Sequence, residues 1–332
     1  MKISVIIPVY NASLYLSRCV DSLVDAIIPN STVEIILIND GSTDNSLAIC
    51  KEYANKYGFI KVFDQNNQGP SAARNLGIQN ATGDWIVFVD SDDYVEKNYF
   101  ERIITEINTH TDIDIFVFNY YKTTDSKCTE HKVFNKFNQV FNHINILEIL
   151  KNTNDFKYLL FPVNKVYKGE LIRKYGFFDN EIRFGEDALF NLRLFFYAQK
   201  LIFIDKALYN YYENPSSFTS QKYKPNLIEN MENHFSKKLE FYNSKPELNK
   251  DFYFRDIARV NLEKTFYAFL GNIIAKEGGD FISDLKEIRK TKLIEFGFEH
   301  YKLYNIKVFK QRLTLWMLKN RMYYILKLMY KK

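Results

Sequence analysis

The run Val33-Glu34-Ile35-Ile36-Leu37-Ile38 is almost entirely apolar and rich in β-branched residues. A strand with one solvated face alternates apolar and polar residues, and this run shows no such alternation. It therefore predicts a strand that is buried on both faces, as in a parallel sheet covered by helices. The polar stretch Asn39-Asp40-Gly41-Ser42 follows directly and ends the strand.

Strand-like and helix-like segments alternate on both sides of this run. Further strands are predicted at residues 3–9, 60–63, 85–89 and 113–118. Helices are predicted between them, at residues 12–25, 45–57, 70–80 and 96–108. This alternation predicts an α/β fold with a doubly wound, mostly parallel sheet. From about residue 222 onward the chain is rich in helix formers and poor in Pro and Gly, which predicts a helical C-terminal region.

Composition and charge narrow the class of protein. The hydrophobic fraction of 46% and charged fraction of 26% indicate a globular chain. The three cysteines form no C-x-x-C pair, so we expect reduced thiols in a cytoplasmic protein. The apolar N-terminal run is too short for a signal peptide, and no uninterrupted apolar run reaches the roughly 18 residues of a spanning helix.

The net charge of +5 is unevenly distributed. Residues 301–332 contain nine Lys or Arg and no acidic residue. The first 300 positions then hold 36 basic against 40 acidic residues, a net charge of −4. This distribution argues against a nucleic-acid-binding surface on the body of the protein.

Polar residues follow three of the predicted strands, at the sheet edge where doubly wound folds bind ligands. The stretches are Pro8-Val9-Tyr10-Asn11, Asn39-Asp40-Gly41-Ser42 and Asp90-Ser91-Asp92-Asp93. Mg²⁺ and Mn²⁺ prefer oxygen ligands and commonly combine one or two carboxylates with substrate phosphates. The sequence therefore predicts a divalent-cation and diphosphate site at this edge. The alternative is that residues 91–93 only cap the next helix.

Two further groups have open interpretations. The Asp40 carboxylate is suited to accept hydrogen bonds from a base or ribose, and equally suited to cap a helix. The segment Asn67-Gln68-Gly69-Pro70-Ser71-Ala72-Ala73-Arg74-Asn75 combines a glycine turn, a proline near a helix start and an arginine one turn inside the helix. Arg74 faces either the nucleotide or a strand-end aspartate in a structural pair.

The ordered set of these motifs resembles glycosyltransferase family 2. The set comprises Pro8-Val9-Tyr10-Asn11, Asn39-Asp40-Gly41-Ser42-Thr43-Asp44, the segment from Gly69 ending in Ala73-Arg74-Asn75-Leu76-Gly77, and Asp90-Ser91-Asp92-Asp93. Each motif is weak alone, whereas their order, spacing and positions on the strands are specific together. The resemblance is strong over residues 1–120 and looser to about residue 220. It implies the GT-A fold and sugar transfer with inversion at the anomeric carbon.

The resemblance also implies roles for individual residues. Those implied to hold the nucleotide-sugar are Pro8, Val9, Tyr10, Asp40, Asn67, Arg74, Asp90 and Ser91. Among them Asp90 is expected near the ribose and diphosphate. The resemblance also implies that Asp92, outside this set, binds Mn²⁺ or Mg²⁺. We expect a GT-A domain over residues 1–220, with nucleotide-sugar binding in 1–120 and the acceptor side in 121–220. A helical region over 221–332 follows.

The second half of that domain contains Gly185-Glu186-Asp187, which resembles the family's Glu-Asp motif at a helix start beside the acceptor. Displacement at the sugar carbon needs a base within hydrogen-bond reach of the attacking hydroxyl. Adjacent helical residues point about 100° apart, so one carboxylate alone can take that place. The family pattern assigns it to Asp187, and leaves Glu186 to orient neighbours, contact the acceptor or cap the helix. The alternative is that both acidic residues only favour the helix dipole.

Two other segments bear on the site. Asn164-Lys165-Val166-Tyr167 resembles a recurring family segment, and Lys165 either contacts the diphosphate or acceptor or is a surface lysine. Many relatives carry a metal-binding histidine in the loop that corresponds to residues 211–217, and this chain has none there. The resemblance then implies fewer protein ligands for the metal, or a contribution from Asn214 or Ser217.

The basic tail has a helical apolar pattern. Its apolar positions recur at spacings of three and four, at Leu315, Leu318, Met322, Ile325 and Met329. Basic residues and the aromatic Trp316, Tyr323 and Tyr324 occupy the remaining arc. This pattern predicts a helix in peripheral contact with an anionic membrane, where a lipid-linked acceptor would lie. The alternative is a helix packed on its own domain or on a second copy in a homo-oligomer.

The resemblance implies an inverting glycosyltransferase of surface polysaccharide assembly, with a glycan or lipid-linked acceptor. We expect a UDP-sugar donor, although the residues exclude neither GDP nor dTDP. A sugar nucleotidyltransferase would need a glycine-rich, basic loop where Tyr10-Asn11-Ala12-Ser13 stands, which counts against that alternative. A non-catalytic glycan-binding or scaffold subunit would be expected to lack Asp92 or Asp187, and both are present.

Overall fold

The computed structural model describes residues 1–134, 138–150, 161–214 and 221–330. The chain divides into two compact units. The N-terminal unit comprises Met1–Leu150 and Asp155–Pro215, and the C-terminal unit comprises Lys151–Asn154 and Ser216–Lys332.

The N-terminal unit alternates strands and helices. Its strands are β1 (Lys2–Val9), β2 (Thr32–Asp40), β3 (Ile60–Gln65), β4 (Trp85–Phe88), β5 (Tyr94–Val95), β6 (Ile115–Thr123), β7 (Cys128–His131), β8 (Val140–Asn142), β9 (Lys165–Lys168) and β10 (Lys200–Tyr212). Its helices are α1 (Leu16–Asp25), α2 (Ser46–Lys56), α3 (Pro70–Asn80), α4 (Tyr99–Thr109), α5 (His143–Leu150), α6 (Gly169–Tyr175) and α7 (Glu186–Tyr197).

All of these strands join one sheet, whose order is β3-β2-β1-β4-β9-β6-β10-β5. Strands β1 to β4 pair in parallel, as do β6 and β10, whereas β9 runs antiparallel between β4 and β6. The short strands β7 and β8 pair with β6 and β10. The predicted α/β fold with a doubly wound, mostly parallel sheet is confirmed, and the ends of β1, β2 and β4 meet at one edge as expected.

Glu34 is the one charged residue in the apolar run of residues 33–38, and its side chain is buried. Glu34 on β2 is 3% exposed. Its carboxylate accepts hydrogen bonds from the Ser4 hydroxyl at 2.6 Å and the Thr82 N–H at 2.7 Å, and from the ammonium groups of Lys2 and Lys61. Burial alone would raise the pKa of Glu34, but these hydrogen bonds lower it well below the ordinary value. The strand can therefore be buried on both faces because its carboxylate has partners.

Helix α3 packs directly on β1 through Gly77. A Cβ atom at this position would lie 2.3 Å from Cγ2 of Ile6, so the residue has to be glycine for the helix and strand to approach this closely. The glycine at the end of the Ala73-to-Gly77 motif therefore fixes the position of α3, and with it the position of Arg74, relative to the sheet.

The C-terminal unit is helical over its described residues, which confirms the predicted helical region. Its helices are α8 (Leu227–Asn243), α9 (Asp251–Val260), α10 (Phe266–Ala275), α11 (Phe281–Lys290), α12 (Lys292–His300), α13 (Phe309–Lys319) and α14 (Tyr323–Tyr330). A π turn (Asn261–Thr265) joins α9 to α10, and a 3-10 turn (Leu303–Asn305) precedes α13. Among the residues described, no helix is long and apolar enough to cross a bilayer.

The expectation of one continuous helix along the basic tail is wrong. Arg321 adopts a left-handed backbone with φ of 60°, which ends α13 and starts a new direction for α14. Leu315 and Leu318 are fully buried, whereas Ile325 and Met329 are 40% and 38% exposed. The apolar stripe is thus divided between two helices, and its first part packs inside the C-terminal unit.

Candidate functional site

The loops that follow β1 and β2 are locked to each other by side chains of the sequence motifs. Asn11 adopts a left-handed backbone, with φ of 47°, and its amide oxygen accepts a hydrogen bond from the Thr43 N–H at 2.8 Å. In return, the Asn11 N–H donates to the Ser42 hydroxyl at 3.1 Å. These hydrogen bonds hold the loops after β1 and β2 together at the sheet edge.

Asp44 extends the same lock. Its carboxylate accepts hydrogen bonds from the N–H of Ser13 at 3.0 Å and the N–H of Ser46 at 2.9 Å. Burial opposes ionisation of Asp44, but the hydrogen bonds from Ser46 and Ser13 lower its pKa to about 2. Asp44 is therefore ionised at neutral pH and holds the loop after β1 against the start of α2.

Asp40 holds the loop that precedes α3. Its carboxylate is 3% exposed and accepts hydrogen bonds from the Gln65 side chain at 2.7 Å, the Gln68 N–H at 2.9 Å and the Gly69 N–H at 2.8 Å. The capping interpretation of Asp40 is wrong, because its three donors all precede α3 and none of them is an N–H of α2. Contact of Asp40 with a base or ribose stays a prediction.

Gly41, the next residue, brings the loop after β2 close to Asn67, another residue that is predicted to hold the nucleotide-sugar. Gly41 has a φ of 68°, and a Cβ there would lie 2.7 Å from the backbone nitrogen of Asn67. The absence of a side chain at Gly41 lets the two loops touch. Asn67 itself is exposed at this edge.

The end of β1 offers a mixture of buried and open groups. Val9 is fully buried, Pro8 is partly buried and Tyr10 is 50% exposed. The Val9 side chain belongs to the core, so the ring of Tyr10 is the side chain in this stretch most open to a ligand. Ser91, in the loop after β4, is partly buried.

Arg74 lies at the centre of the acidic residues. It is 5% exposed, and its guanidinium is 2.8 Å from the Asp90 carboxylate, 3.4 Å from Asp187 and 3.7 Å from Glu186. Burial opposes the charge of Arg74, but Asp187, Asp90 and Glu186 raise the pKa of the guanidinium above its ordinary value. One buried cation therefore joins the loop after β4 to the start of α7. Of the two interpretations of Arg74, the structure favours the pair with a strand-end aspartate.

The two acidic residues of α7 begin that helix. Gly185 precedes it, and the carboxylates of Glu186 and Asp187 lie in its first turn. Burial raises the pKa of Asp187 above its ordinary value, opposed by the positive charge of Arg74. Burial and the charge of Asp187 raise the pKa of Glu186 as well. A carboxylate with a raised pKa is a stronger proton acceptor than an exposed one, which suits a general base.

Polar groups behind Asp187 fix the first turn of its helix. The Asn191 side chain donates to the Asp187 carbonyl at 3.1 Å and accepts from the Tyr167 hydroxyl at 2.6 Å. In front of the helix, the Asn75 side chain both donates to and accepts from the backbone of Phe178 at 2.8 Å. The position of Asp187 is thereby tied to β9, while Asn75 ties α3 to the segment that precedes α7.

Lys165 is buried, so its interpretation as a surface lysine is wrong. It is 1% exposed, and its ammonium group donates to the Phe161 carbonyl and, at 2.9 Å, to the Asn164 amide oxygen. Burial lowers the pKa of Lys165 well below its ordinary value, against the raising effect of the Asp187 charge. Lys165 thus contributes to the electrostatics around Asp187, and its contact with diphosphate or acceptor stays a prediction.

Asp92 and Asp93, both in the loop after β4, have different hydrogen-bond partners. Asp93 is 1% exposed, and its carboxylate is held by the Tyr209 hydroxyl and by the Tyr212 N–H at 2.7 Å. Helix α4 starts only at Tyr99 and has no side-chain cap. The capping alternative for this loop is therefore wrong, and Asp93 instead ties the loop to β10.

Asp92 points to a different set of partners. Its carboxylate accepts a hydrogen bond from the Asn214 side chain at 3.2 Å. Asn214 is one of the two residues that were expected to take the place of the relatives' histidine, and it lies beside Asp92. Ser217 lies outside the described residues. Burial and the charge of Asp90 raise the pKa of Asp92, although Arg18 and the hydrogen bond from Asn214 oppose this effect.

A buried carboxylate close to a second one is compatible with a divalent cation at Asp92. Within the ranges that the structure describes, no three His, Cys, Asp or Glu side chains are grouped to hold a metal by themselves. A Mg²⁺ or Mn²⁺ ion commonly uses one or two carboxylates and completes its shell with water and substrate phosphates. Asp92, with Asn214 beside it, is suited to hold such an ion together with a diphosphate.

Sequence reasoning missed Arg18, which supports the same loop from α1. Its guanidinium donates to the Asp92 carbonyl at 2.7 Å and lies over the rings of Tyr212 at 4.3 Å and Tyr94 at 4.8 Å. These partners lie between 74 and 194 residues away in the chain, so no local pattern signals them. Asn191 and Asn75 were also missed, although Asn75 belongs to the motif that runs from Ala73 to Gly77.

Comparison with known proteins shows which family this sequence is similar to. The family model described as "Glycosyl transferase family 2" matches residues 4–176. The chain is 37% identical to the uncharacterized glycosyltransferase EpsJ of Bacillus subtilis, over 73% of this chain and 70% of EpsJ. It is 36% identical to the glycosyltransferase GlyA of Streptococcus pneumoniae, over 63% of this chain and 30% of GlyA.

The fold is that of a solved glycosyltransferase. The crystal structure of residues 1–349 of Staphylococcus aureus TarS in complex with UDP-GlcNAc superposes with a TM-score of 0.67 at 22% identity. The alignment covers 97% of this chain and 88% of that one. The sheet is therefore a GT-A sheet, and the motifs, their arrangement and the matches agree: this chain belongs to glycosyltransferase family 2.

Proposed function

We propose that this protein transfers a sugar, with inversion, from a UDP-sugar to a hydroxyl of a glycan or lipid-linked acceptor in surface polysaccharide assembly. The observation that carries the proposal is the position of Arg74. Its guanidinium lies between Asp90, in the loop after β4, and Asp187, at the start of α7. The proposed donor side and the proposed base thus contact the same buried guanidinium.

In this proposal, the loops after β1, β2 and β3 bind the nucleoside, with Tyr10 after β1 and Asn67 after β3 as exposed contacts. Asp92 would hold Mg²⁺ or Mn²⁺ with the donor diphosphate, and such an ion, when bound, stabilises the charge that develops on the leaving diphosphate. Asp90 and Arg74 keep that loop in register with α7. Support for the donor class comes from the TarS complex with UDP-GlcNAc, whose fold this chain shares.

Asp187 is the proposed general base. As the acceptor oxygen forms its bond to the anomeric carbon, the hydroxyl proton passes to the Asp187 carboxylate, and the bond to the diphosphate oxygen breaks. The positive charge of Arg74 favours the ionised form of the Asp187 carboxylate, and Asn191 holds the first turn of α7 so that the carboxylate keeps its direction. In this proposal an acidic residue at the start of α7 acts in catalysis, in addition to any favourable interaction with the helix dipole.

The donor can be identified without the acceptor. We expect the protein to hydrolyse its preferred nucleotide-sugar slowly to the free nucleoside diphosphate, because water replaces the acceptor hydroxyl. UDP-sugars, GDP-sugars and dTDP-sugars are incubated with Mn²⁺ and with EDTA, and the nucleoside diphosphate released is measured. Release from UDP-sugars that requires the metal is the expected result. Release from GDP- or dTDP-sugars alone would contradict the proposed donor class.

The predicted contact with an anionic membrane is part of the proposal and involves α14. Tyr324 is 76% exposed and Leu328 is 80% exposed, with the exposed Lys327 between them. We expect the protein to sediment with phosphatidylglycerol-containing vesicles at low salt, and a Leu328→Asp variant to sediment less. Equal sedimentation of both proteins would contradict a membrane role for this helix.

A further inference from the structure

A concave surface in the C-terminal unit is lined by aromatic rings and lysines. It lies where the end of α12, the 3-10 turn and α13 meet, and encloses about 320 Å³. We call it the aromatic groove and define it by Phe298, Tyr301, Lys302, Tyr304, Trp316 and Lys319. A second cavity of about 410 Å³ adjoins it and shares Tyr301, Lys302 and Tyr304. Each lies within the roughly 300–1,000 Å³ that ligand pockets occupy.

Two rings of the groove are open to solvent, although large aromatic side chains are usually covered. Tyr304 is 74% exposed and Trp316 is 48% exposed. Trp and Tyr combine a flat apolar face with a polar edge, which matches the alternating C–H and hydroxyl groups of a sugar ring. The groove therefore has the chemistry to stack a saccharide.

The cations of the groove add a second requirement on the ligand. Lys319 has its ammonium group 5.6 Å from the centre of the Phe298 ring, and Lys302 is exposed at the junction of the two cavities. In the described part of the chain neither lysine has a carboxylate partner. The segment 301–332 also contains no acidic residue. The lining of the aromatic groove holds these two lysines and no carboxylate, whereas Asp251 and Glu299 line the second cavity. Lysines beside aromatic rings in the groove favour an anionic group on the ligand, such as a phosphate.

We propose that the aromatic groove binds a phosphate-containing glycan chain, which is the polymeric acceptor of the transfer reaction; this proposal rests on the proposed function. The sugar rings would stack on Trp316 and Tyr304, and phosphates would pair with Lys302 and Lys319. A membrane surface is the less suitable ligand, because the groove is concave while the exposed apolar side chains of α14, Tyr324 and Leu328, do not line it.

The chain provides its own reporter for this ligand. It has two tryptophans, of which Trp85 is 6% exposed and Trp316 lies in the groove. In a Trp85→Phe variant, tryptophan emission comes from Trp316 alone. The probes are oligomers of glucose joined by phosphodiester bonds, neutral dextran oligomers of equal length, inorganic phosphate and phosphatidylglycerol vesicles. Should Trp85→Phe fail to fold, calorimetric titration of the wild-type protein replaces the fluorescence measurement.

We expect the anionic oligomer to shift the Trp316 emission saturably. The neutral oligomer and inorganic phosphate should each bind about tenfold or more weakly, because each offers half of the contacts. Changing both Lys302 and Lys319 to Ala should weaken binding by about tenfold. Lys286→Ala, an exposed lysine of α11 outside the groove, should bind as the wild type does.

Three results would overturn the proposal: no response to the anionic oligomer, wild-type binding by the double lysine variant, or a response to vesicles alone. Binding is measured without donor or metal, and also on an Asp187→Asn background, so failure of the groove is separate from failure of the transferase. In transfer assays the double lysine variant should raise the KM for a long anionic acceptor, with kcat unchanged and short acceptors unaffected.

Discussion

Asp187→Asn should lower the rate of sugar transfer by about a thousandfold, in the middle of the range that general-base catalysis contributes. Asparagine has nearly the same shape but cannot take the proton from the acceptor hydroxyl. The Arg74 to Asp90 ion pair, at 2.8 Å, remains in the variant, so the protein should fold and bind donor as before. The measurements are initial rates of transfer, donor affinity by calorimetry and thermal unfolding.

The pH dependence tests the same assignment. Asp187 acts as a base only when it is deprotonated, and burial raises its pKa. Transfer should therefore be full at higher pH and decline as the pH falls through that raised pKa, starting above the value of about 4 for an ordinary aspartate. The residual activity of Asp187→Asn should lack this decline.

Glu186→Gln is the matched control, because it changes the neighbouring carboxylate on the same helix turn. Its transfer rate should fall by less than about tenfold, since its side chain points elsewhere on the helix. If Glu186→Gln were inactive and Asp187→Asn nearly normal, the base would be Glu186. If both variants kept normal turnover, α7 would have no catalytic carboxylate.

Asp92→Asn should remove metal-dependent transfer, with a loss of about a hundredfold or more. The variant loses a hard, charged oxygen ligand at the place where burial and Asp90 already crowd negative charge. EDTA should inactivate the wild-type protein, and Mn²⁺ or Mg²⁺ should restore it. Excess metal should restore Asp92→Asn only in part, which is measured as the metal concentration needed for half-maximal activity.

The control for Asp92 is an aspartate of the same unit with no part in the site. Asp112 has a side chain that is 63% exposed and pairs with Lys200 at the surface, so Asp112→Asn should keep wild-type activity and metal response. Normal activity of Asp92→Asn at low metal concentration would remove Asp92 from the metal site. Activity of the wild type in EDTA would remove the metal from the reaction.

Much of the N-terminal unit could be predicted from the sequence because its signals are local. The apolar run that contains Glu34 predicted a strand buried on both faces, and Pro70 marked the first residue of α3. The family resemblance and the GT-A fold followed from the order of short motifs, and both are confirmed. The tail shows the limit of periodicity, because the left-handed backbone of Arg321 interrupts a stripe that the sequence leaves continuous.

The sequence by itself determined the class of fold, the family and the places along the chain where acidic groups follow buried strands. These depend on hydrophobic period and local turn chemistry, which a few neighbouring residues specify. Only the tertiary structure decided that Arg74 contacts both Asp90 and Asp187, that Lys165 is buried and that Asp40 and Asp93 hold loops. Those partners lie up to 119 residues apart, and their pairing depends on how helices and strands pack in three dimensions.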